Sequence, residues 1–495
     1  MRSLFLLLLA MVSGVAFGNA ADGWEVNSPY AKIVGERLVV DVPAGKENQA
    51  PMARKRISLA PYSNKSLELT VTCRGENVSA PDKSWLGFKV MLHYKNEAGQ
   101  DQWPQAARLT GTFADRKVTL WQDFSRQNLD KGEICLGLQS GSGRVEFDLA
   151  SLSLRAADPI YPTVNGSWRV KYPDRVAKMP RLRGVMLPAS APTRADFATL
   201  KSWGVTLARY QMCRNWGRAN TNQDLGEYDR WIDEKLDTLE RILPWAREDG
   251  IRLVVDLHVP PGGRDESSDM NMFYDERYAR HFVEVWQKIA RRFKGRPEIY
   301  GFDLINEPTQ TRRALPDCDY WNLQRRAAEA VRAIDPSTPI IVESNGWDSP
   351  ATYPYLSPLK MDNVIYQFHL YVPHAFTHQG VSGGWTKTAY PDAARGWNKE
   401  MLRAEIKPVL EFQKKHNCRI YVGEFSAITW AQGAEAYLAD CISLFEEYGF
   451  DWTYHAFREW QGWSVEHACD GPGAPFRASA DNPRKRVLLD ALKVK

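Results

Sequence analysis

The sequence predicts an α/β chain in which a closed (β/α)8 TIM barrel is preceded by an all-β sandwich domain. Three observations carry this expectation. From Leu182 onward, short apolar runs of the kind made by buried parallel strands alternate with longer stretches of helical periodicity, eight times over. Before about Arg155 the runs are short, β-rich and broken by Gly, Asn, Asp and Pro. The length of 495 residues accommodates a barrel of about 250 to 300 residues with a further domain beside it.

Taken in order, residues 1–20 stand apart from the rest. Arg2, the apolar run Leu4–Met11 and the small residues around Gly18-Asn19-Ala20 describe a secretory signal peptide. Its apolar core is too short to cross a bilayer, and no later segment is long and apolar enough to do so. A secreted protein, extracellular or periplasmic, without a membrane span is expected. Residues 22–155 read as the β-sandwich, with runs at Ser66–Thr72, Leu86–Leu92, Arg116–Trp121 and Arg144–Asp148. Residues 156–180 carry Pro159, Pro162, Pro173 and Pro180 with little periodicity and read as a linker packed on the surface.

Residues 181–495 then supply the barrel. Leu182–Leu187, Val205–Tyr210 and Arg252–Leu257 give strands one to three, with helices at Ala195–Trp203, Leu236–Glu248 and Tyr278–Phe293. Strand four lies in Glu298–Pro308, and Pro339–Glu343, Val364–Phe368, Ile420–Gly423 and Asp451–Tyr454 give strands five to eight before a closing helix at Pro483–Val494. This alternation favours a barrel over an open doubly wound sheet.

Composition narrows the chemistry. Apolar residues at 44% and charged residues at 25% are ordinary for a globular protein with a large core. With residues 1–20 removed, 63 Lys and Arg face 60 Asp and Glu, and no basic run is long enough to hold nucleic acid. A neutral polymer suits that balance. The seven cysteines are odd in number, so at least one is unpaired, and Cys73 with Cys135 is a possible disulfide within the first domain. Neither CxxC nor HExxH spacing occurs, so no metal site and no cofactor are expected.

Glu298–Pro308, EIYGFDLINEP, is the stretch around which the barrel is arranged. Its apolar run stops on Asn306, Glu307 and Pro308, and the proline is expected to hold Glu307 in extended backbone at the strand's exit. A second run, Arg419–Gly423, ends on Glu424. In a parallel barrel both glutamates reach the same face. Two carboxyl groups flanking one bond suit glycosidic hydrolysis: one protonates the leaving oxygen while the other attacks or stabilises the sugar cation, and each needs a different protonation state at one pH.

The segments LINEP and YVGEF resemble the acid/base and nucleophile signatures of glycoside hydrolase family 5, within the clan of retaining (β/α)8 glycosidases, over roughly Arg181 to Lys495. The resemblance implies Glu307 as acid/base and Glu424 as nucleophile. It also implies that Arg209 keeps Glu424 ionised, His258 contacts the sugar on the non-reducing side, Asn306 bonds the 2-hydroxyl, Tyr371 orients Glu424 and His369 supports Glu307. The family commonly places a tryptophan at the end of strand eight as a sugar floor, whereas this chain reads Tyr454-His455-Ala456 there. Trp460 is expected to serve instead, with Trp463 as the alternative.

Residues Gly143–Leu149 and Leu152–Leu154 resemble the last strands of jelly-roll carbohydrate-binding modules, which would make Trp85, Tyr94, Trp103 and Trp121 candidate sugar contacts or, equally, scaffold aromatics. The implied substrate is a β-linked polysaccharide or oligosaccharide, of β-1,4-glucan or mannan type and cleaved internally. Exo action as a β-glucosidase or β-mannosidase, a metal-dependent barrel hydrolase, and a glycan-binding protein without turnover stand as alternatives.

Overall fold

The computed structural model describes residues 20–80, 85–96, 99–106, 108–124, 127–157, 167–381 and 385–493. Apart from Ala20, the signal peptide read from the sequence lies outside them. The chain divides into an N-terminal and a C-terminal compact unit.

The N-terminal unit is built from strands β1 (Trp24–Val26), β2 (Ala31–Val34), β3 (Arg37–Val42), β4 (Met52–Ser58), β5 (Ser66–Val78), β6 (Gly87–Lys95), β7 (Asp101–Gln102), β8 (Gly111–Asp123), β9 (Lys131–Gln139) and β10 (Gly143–Ala157). They form two antiparallel sheets, ordered β1-β4-β9-β6-β7 and β2-β3-β10-β5-β8. Alternation along each strand makes the sandwich. In β6, Phe88, Val90, Leu92 and Tyr94 enter a core shared with Leu69 and Val71 of β5 and Phe147 of β10.

The same alternation separates the two cysteines considered as a pair. Cys73 lies in that core, whereas Cys135 packs with Met52 and Met91 in a separate cluster. All seven cysteines are free and buried, so the Cys73–Cys135 bridge is not formed. Of the four aromatics singled out, Tyr94 is buried and Trp121 half-buried, while Trp85 and Trp103 are exposed. Trp103 stacks flat on His93, with ring centroids 3.6 Å apart.

The C-terminal unit is a closed parallel barrel of eight strands. They are β11 (Arg183–Met186), β12 (Leu207–Gln211), β13 (Arg252–Asp256), β14 (Ile299–Asp303), β15 (Ile340–Glu343), β16 (Val364–Leu370), β17 (Arg419–Phe425) and β18 (Asp451–Tyr454). β18 pairs back onto β11 and closes the ring. Helices pack outside with their ends fixed locally. Thr193 and Asp196 form a reciprocal capping box at the start of Arg194–Trp203. The expected helix Leu236–Glu248 starts about three turns earlier, at Leu225, because Asp224 caps it and Tyr228, Trp231 and Ile232 extend its buried stripe.

The proline-rich stretch read as a linker is part of the barrel from residue 167 on. Tyr172 donates to the carbonyl of Val364, the first residue of β16, and accepts from the amide of Arg419, the first of β17. Tyr172 and Met179 pack on an inward layer of Leu207, Val254, Tyr300, Ile365 and Tyr421. This closes the N-terminal mouth with apolar side chains and leaves the opposite mouth for chemistry.

Candidate active site

Arg209 on β12 is the fixed point of the open mouth. It is fully buried, and a buried guanidinium persists only where its donors are matched by acceptors and negative charge. Its Nη1 donates to Glu424 Oε1 at 2.7 Å, its Nη2 to Asn306 Oδ1 and Glu343 Oε1 at 3.0 Å each, and its Nε to Asp303 Oδ2 at 3.0 Å. Burial opposes its charge, but Asp256, Asp303, Glu343 and Glu424 outweigh that and raise its pKa further. Crowding acids round one cation has a consequence of its own. Burial, assisted by Asp256 and opposed by Arg209, pushes the Asp303 carboxyl up to about 6.

Glu424, near the end of β17, has both oxygens held. Oε1 accepts from Arg209, and Oε2 accepts from the Tyr371 hydroxyl at 2.8 Å. Burial would raise its pKa, but His369, His455, Arg209 and His258 reverse the direction and hold the carboxyl well below the usual range. Glu424 is therefore an ionised carboxylate with oriented oxygens.

Glu307 faces it from the loop after β14. His369 Nδ1 lies 2.9 Å from Glu307 Oε1 and 3.9 Å from Glu424 Oε2. Gln367 Nε2 lies 3.2 Å from the far nitrogen of the same ring, so Nδ1 is the ring nitrogen turned to Glu307. One oxygen of Glu307, one oxygen of Glu424 and a His369 nitrogen all fall within 4.8 Å of one another. Glu343, Asp348 and His369 form a second set at that spacing. Either set is close enough to admit a cation, which in the first would have to compete with the hydrogen bonds that tie Glu307 to His369 and Glu424 to Tyr371.

The backbone of Glu307 differs from the expectation. Instead of extended geometry it has φ of 51°, in the left-handed region. The bias that Pro308 imposes is overridden by three fixed partners. The Glu307 amide donates to Glu343 Oε2 at 2.6 Å, while its carbonyl accepts from Arg264 Nη2 at 2.7 Å and from Thr309 Oγ1 at 3.2 Å.

His258 and Asn306 complete the inner ring. Asp256 Oδ2 accepts from His258 Nδ1 at 2.8 Å, leaving Nε2 as the acceptor for Asn306 Nδ2 at 3.3 Å. The structure thus brings Arg209, His258, Asn306, Glu307, His369, Tyr371 and Glu424 into one connected network. It does not bring Trp460 there. Trp460 is exposed, and its ring partners among the described residues are Trp430, Trp463 and Phe476. A turn in which the Trp463 amide donates to the Trp460 carbonyl at 3.0 Å carries Trp463 inward instead, to 6.5 Å from Tyr371 and 5.6 Å from His455.

His455, the residue after β18, is itself a site residue, ion-paired to Glu459 at 3.2 Å. Glu343, Asp303, Gln367 and Arg264 escaped the sequence reading. Glu343 and Asp303 carried the same signal as Glu307 and Glu424, an acid ending an apolar strand; Gln367 sits inside its strand, and Arg264 in a loop.

Residues 174–460 match the family described as Cellulase (glycosyl hydrolase family 5). Endoglucanase C of Acetivibrio thermocellus is 30% identical over 298 residues, 53% of this chain and 83% of that protein. Cellodextrinase A of Ruminococcus flavefaciens is 26% identical over 212 residues, 40% of this chain and 59% of that protein. Among solved structures, Thermotoga maritima Cel5A in complex with mannotriose matches with a TM-score of 0.50 at 22% identity, covering 64% of this chain and all of that one, which supports the fold. The chain belongs to the cellulase family, glycosyl hydrolase family 5, and is a glycoside hydrolase.

Proposed function

We propose that the chain hydrolyses internal β-1,4 bonds of a glucan by double displacement with retention of anomeric configuration. The observation that carries this reading is the meeting of Glu307 and Glu424, with one carboxylate oxygen of each within 4.8 Å of the other. Carboxyl groups about 5 to 5.5 Å apart leave room for a sugar carbon but not for a water between acid and base, whereas inversion needs about 6.5 to 9.5 Å.

In the first step Glu424 attacks the anomeric carbon, forming a glycosyl ester, while Glu307 gives its proton to the departing glycosidic oxygen. In the second, Glu307 takes a proton from water as that water attacks the anomeric carbon, breaks its bond to the Glu424 oxygen and releases Glu424 as a carboxylate. Arg209 and Tyr371 keep the nucleophile ionised and aligned. His369 holds Glu307 Oε1, so Oε2 carries the transferred proton. Asn306, locked by Arg209 and His258, is placed to bond the 2-hydroxyl as the ring flattens in the transition state.

The names of the relatives, an endoglucanase and a cellodextrinase, support a β-glucan as substrate and a short oligosaccharide as a further one. Export by residues 1–20 would place the enzyme where such polymers are met. The test is reducing-end release from a panel of glucans, mannans and xylans, with product sizes separating internal from terminal cleavage. Rapid shortening of β-1,4-glucan supports the reading, and release confined to mannan or to terminal units contradicts it.

A further inference from the structure

Two carboxyl groups meet where the Glu307 amide is held. Glu343, the last residue of β15, and Asp348, in the loop that follows, are both wholly buried, and one oxygen of each lies within 4.8 Å of the other and of a His369 nitrogen. Carboxyl groups this close in one buried site do not both ionise. Burial pushes Asp348 well above the usual carboxyl range, against the opposing Ser344 donors and Arg209. Burial and the charge of Asp348 push Glu343 the same way, and the second of these causes vanishes once Asp348 is neutral.

Their hydrogen-bond partners differ in kind. Each Glu343 oxygen faces a group that can only donate: Oε1 accepts from Arg209 Nη2 at 3.0 Å and Oε2 from the Glu307 amide at 2.6 Å. Asp348 is divided. Its Oδ1 accepts from the Ser344 amide at 2.7 Å and the Ser344 hydroxyl at 3.0 Å, whereas its Oδ2 is buried with no hydrogen-bond partner among the described residues. A charged oxygen without donors is costly in a protein interior, and a proton on that atom removes the charge.

The backbone is bent to present this group. Gly346, Trp347 and Asp348 follow one another at φ of 69°, 64° and 51°, and such strain persists where the surroundings over-determine it. Here the Trp347 amide donates to the carbonyl of Pro308 at 3.3 Å, while Ser344 holds Asp348 Oδ1. The strained turn is thereby tied to both the loop after β14 and the end of β15.

We propose that Asp348 is a positioning residue, kept as a neutral acid with its proton on Oδ2, and that it thereby leaves the negative charge on Glu343. Glu343 needs that charge to hold Arg209 and the Glu307 amide at once. For what Glu307 then does, the assignment rests on the hydrolytic reading above.

Asparagine mimics a neutral Asp348, because its carbonyl replaces Oδ1 before Ser344, its NH2 replaces the protonated Oδ2, and it accepts left-handed backbone. Asp348→Asn should therefore keep the kcat and urea midpoint of the unsubstituted enzyme, while Asp348→Ala should lose kcat on the order of ten-fold or more through misplacement of Glu307. A loss of kcat or of stability in Asp348→Asn as large as in Asp348→Ala overturns the assignment. Infrared difference spectra at neutral pH, unsubstituted enzyme minus Asp348→Asn, read the proton itself and need no substrate. They should show the carbonyl band of one protonated carboxyl group, shifted in heavy water, with the acid/base cancelling between the two proteins. A difference made of ionised carboxylate bands alone overturns the assignment whether or not glucan is cleaved. One equivalent of metal retained by the purified enzyme and lost in Asp348→Asn would put a cation in place of the proton and overturn it too. The protonated band in a protein that cleaves no glycan would uphold Asp348 as a neutral acid and count against the hydrolytic reading alone.

Discussion

The amide of Glu307 donates to Oε2 of Glu343 at 2.6 Å, joining the loop after β14 to the last residue of β15. The other Glu343 oxygen accepts from Arg209 at 3.0 Å. One buried carboxyl group thus ties the backbone of Glu307 to the guanidinium that holds Glu424, and the separation of the two glutamates depends on it.

Glu343→Gln should accordingly lower kcat far more than it changes KM, because an amide turns an NH2 group toward one of the two donors, the Glu307 amide and Arg209, that the two oxygens of Glu343 accept from. Removing one member of a buried charged network costs about 3 to 5 kcal/mol, so the midpoint of urea unfolding should fall as well. Steady-state kinetics and denaturation on the same preparation check both. A variant with unchanged kcat would detach Glu343 from the alignment of Glu307.

Stability should depend on His455 at mildly alkaline pH. Burial disfavours its charge, but Glu459 and Glu424 more than offset that and lift its pKa from 6.5 to about 9. Its contribution is fully present below about pH 6.5 and fades as the pH rises through 9. Between these limits the enzyme should lose on the order of 3 kcal/mol that a His455→Gln variant does not lose. Urea unfolding at several pH values, read as the difference between the two proteins, isolates this group from others that titrate nearby.

The aromatic beside Glu424 that meets the sugar should be Trp463 rather than Trp460. Trp463 is buried against His455 and His378 and lies 6.5 Å from Tyr371, whereas Trp460 packs on Trp430 and Phe476. Trp463→Leu should reduce kcat/KM about ten-fold or more, with Trp460→Leu costing clearly less. The reverse order would restore Trp460 as the sugar floor.

Much of this was legible in the chain because periodicity and strand-end position report directly on a barrel. LINEP and YVGEF each place a glutamate at a C-terminal strand exit, and parallel closure brings such exits together whatever their distance in sequence. His369 and Tyr371 were legible for the same reason, through alternation along β16 and just past its end. What escaped was set by contacts no local pattern encodes. Pro308 alone argues for extended Glu307, and only Glu343 and Arg264, both remote in sequence, show why φ is 51°. The inward turn of Trp463 follows from a loop hydrogen bond, and the start of the helix at Leu225 from a cap at Asp224. The packing of Tyr172 on the ends of β16 and β17 cannot be read from a proline-rich stretch.

Trapping the glycosyl ester tests the role of Glu424 most directly. A 2-deoxy-2-fluoro cellobioside with a good leaving group slows both steps, but hydrolysis of the ester more than its formation, so the ester accumulates. Peptide mapping by mass spectrometry should then find one glycosyl unit on the peptide containing Glu424, with the label absent in Glu424→Ala. A label on any other residue, or continued turnover of Glu424→Ala on β-1,4-glucan, would contradict double displacement through this carboxylate.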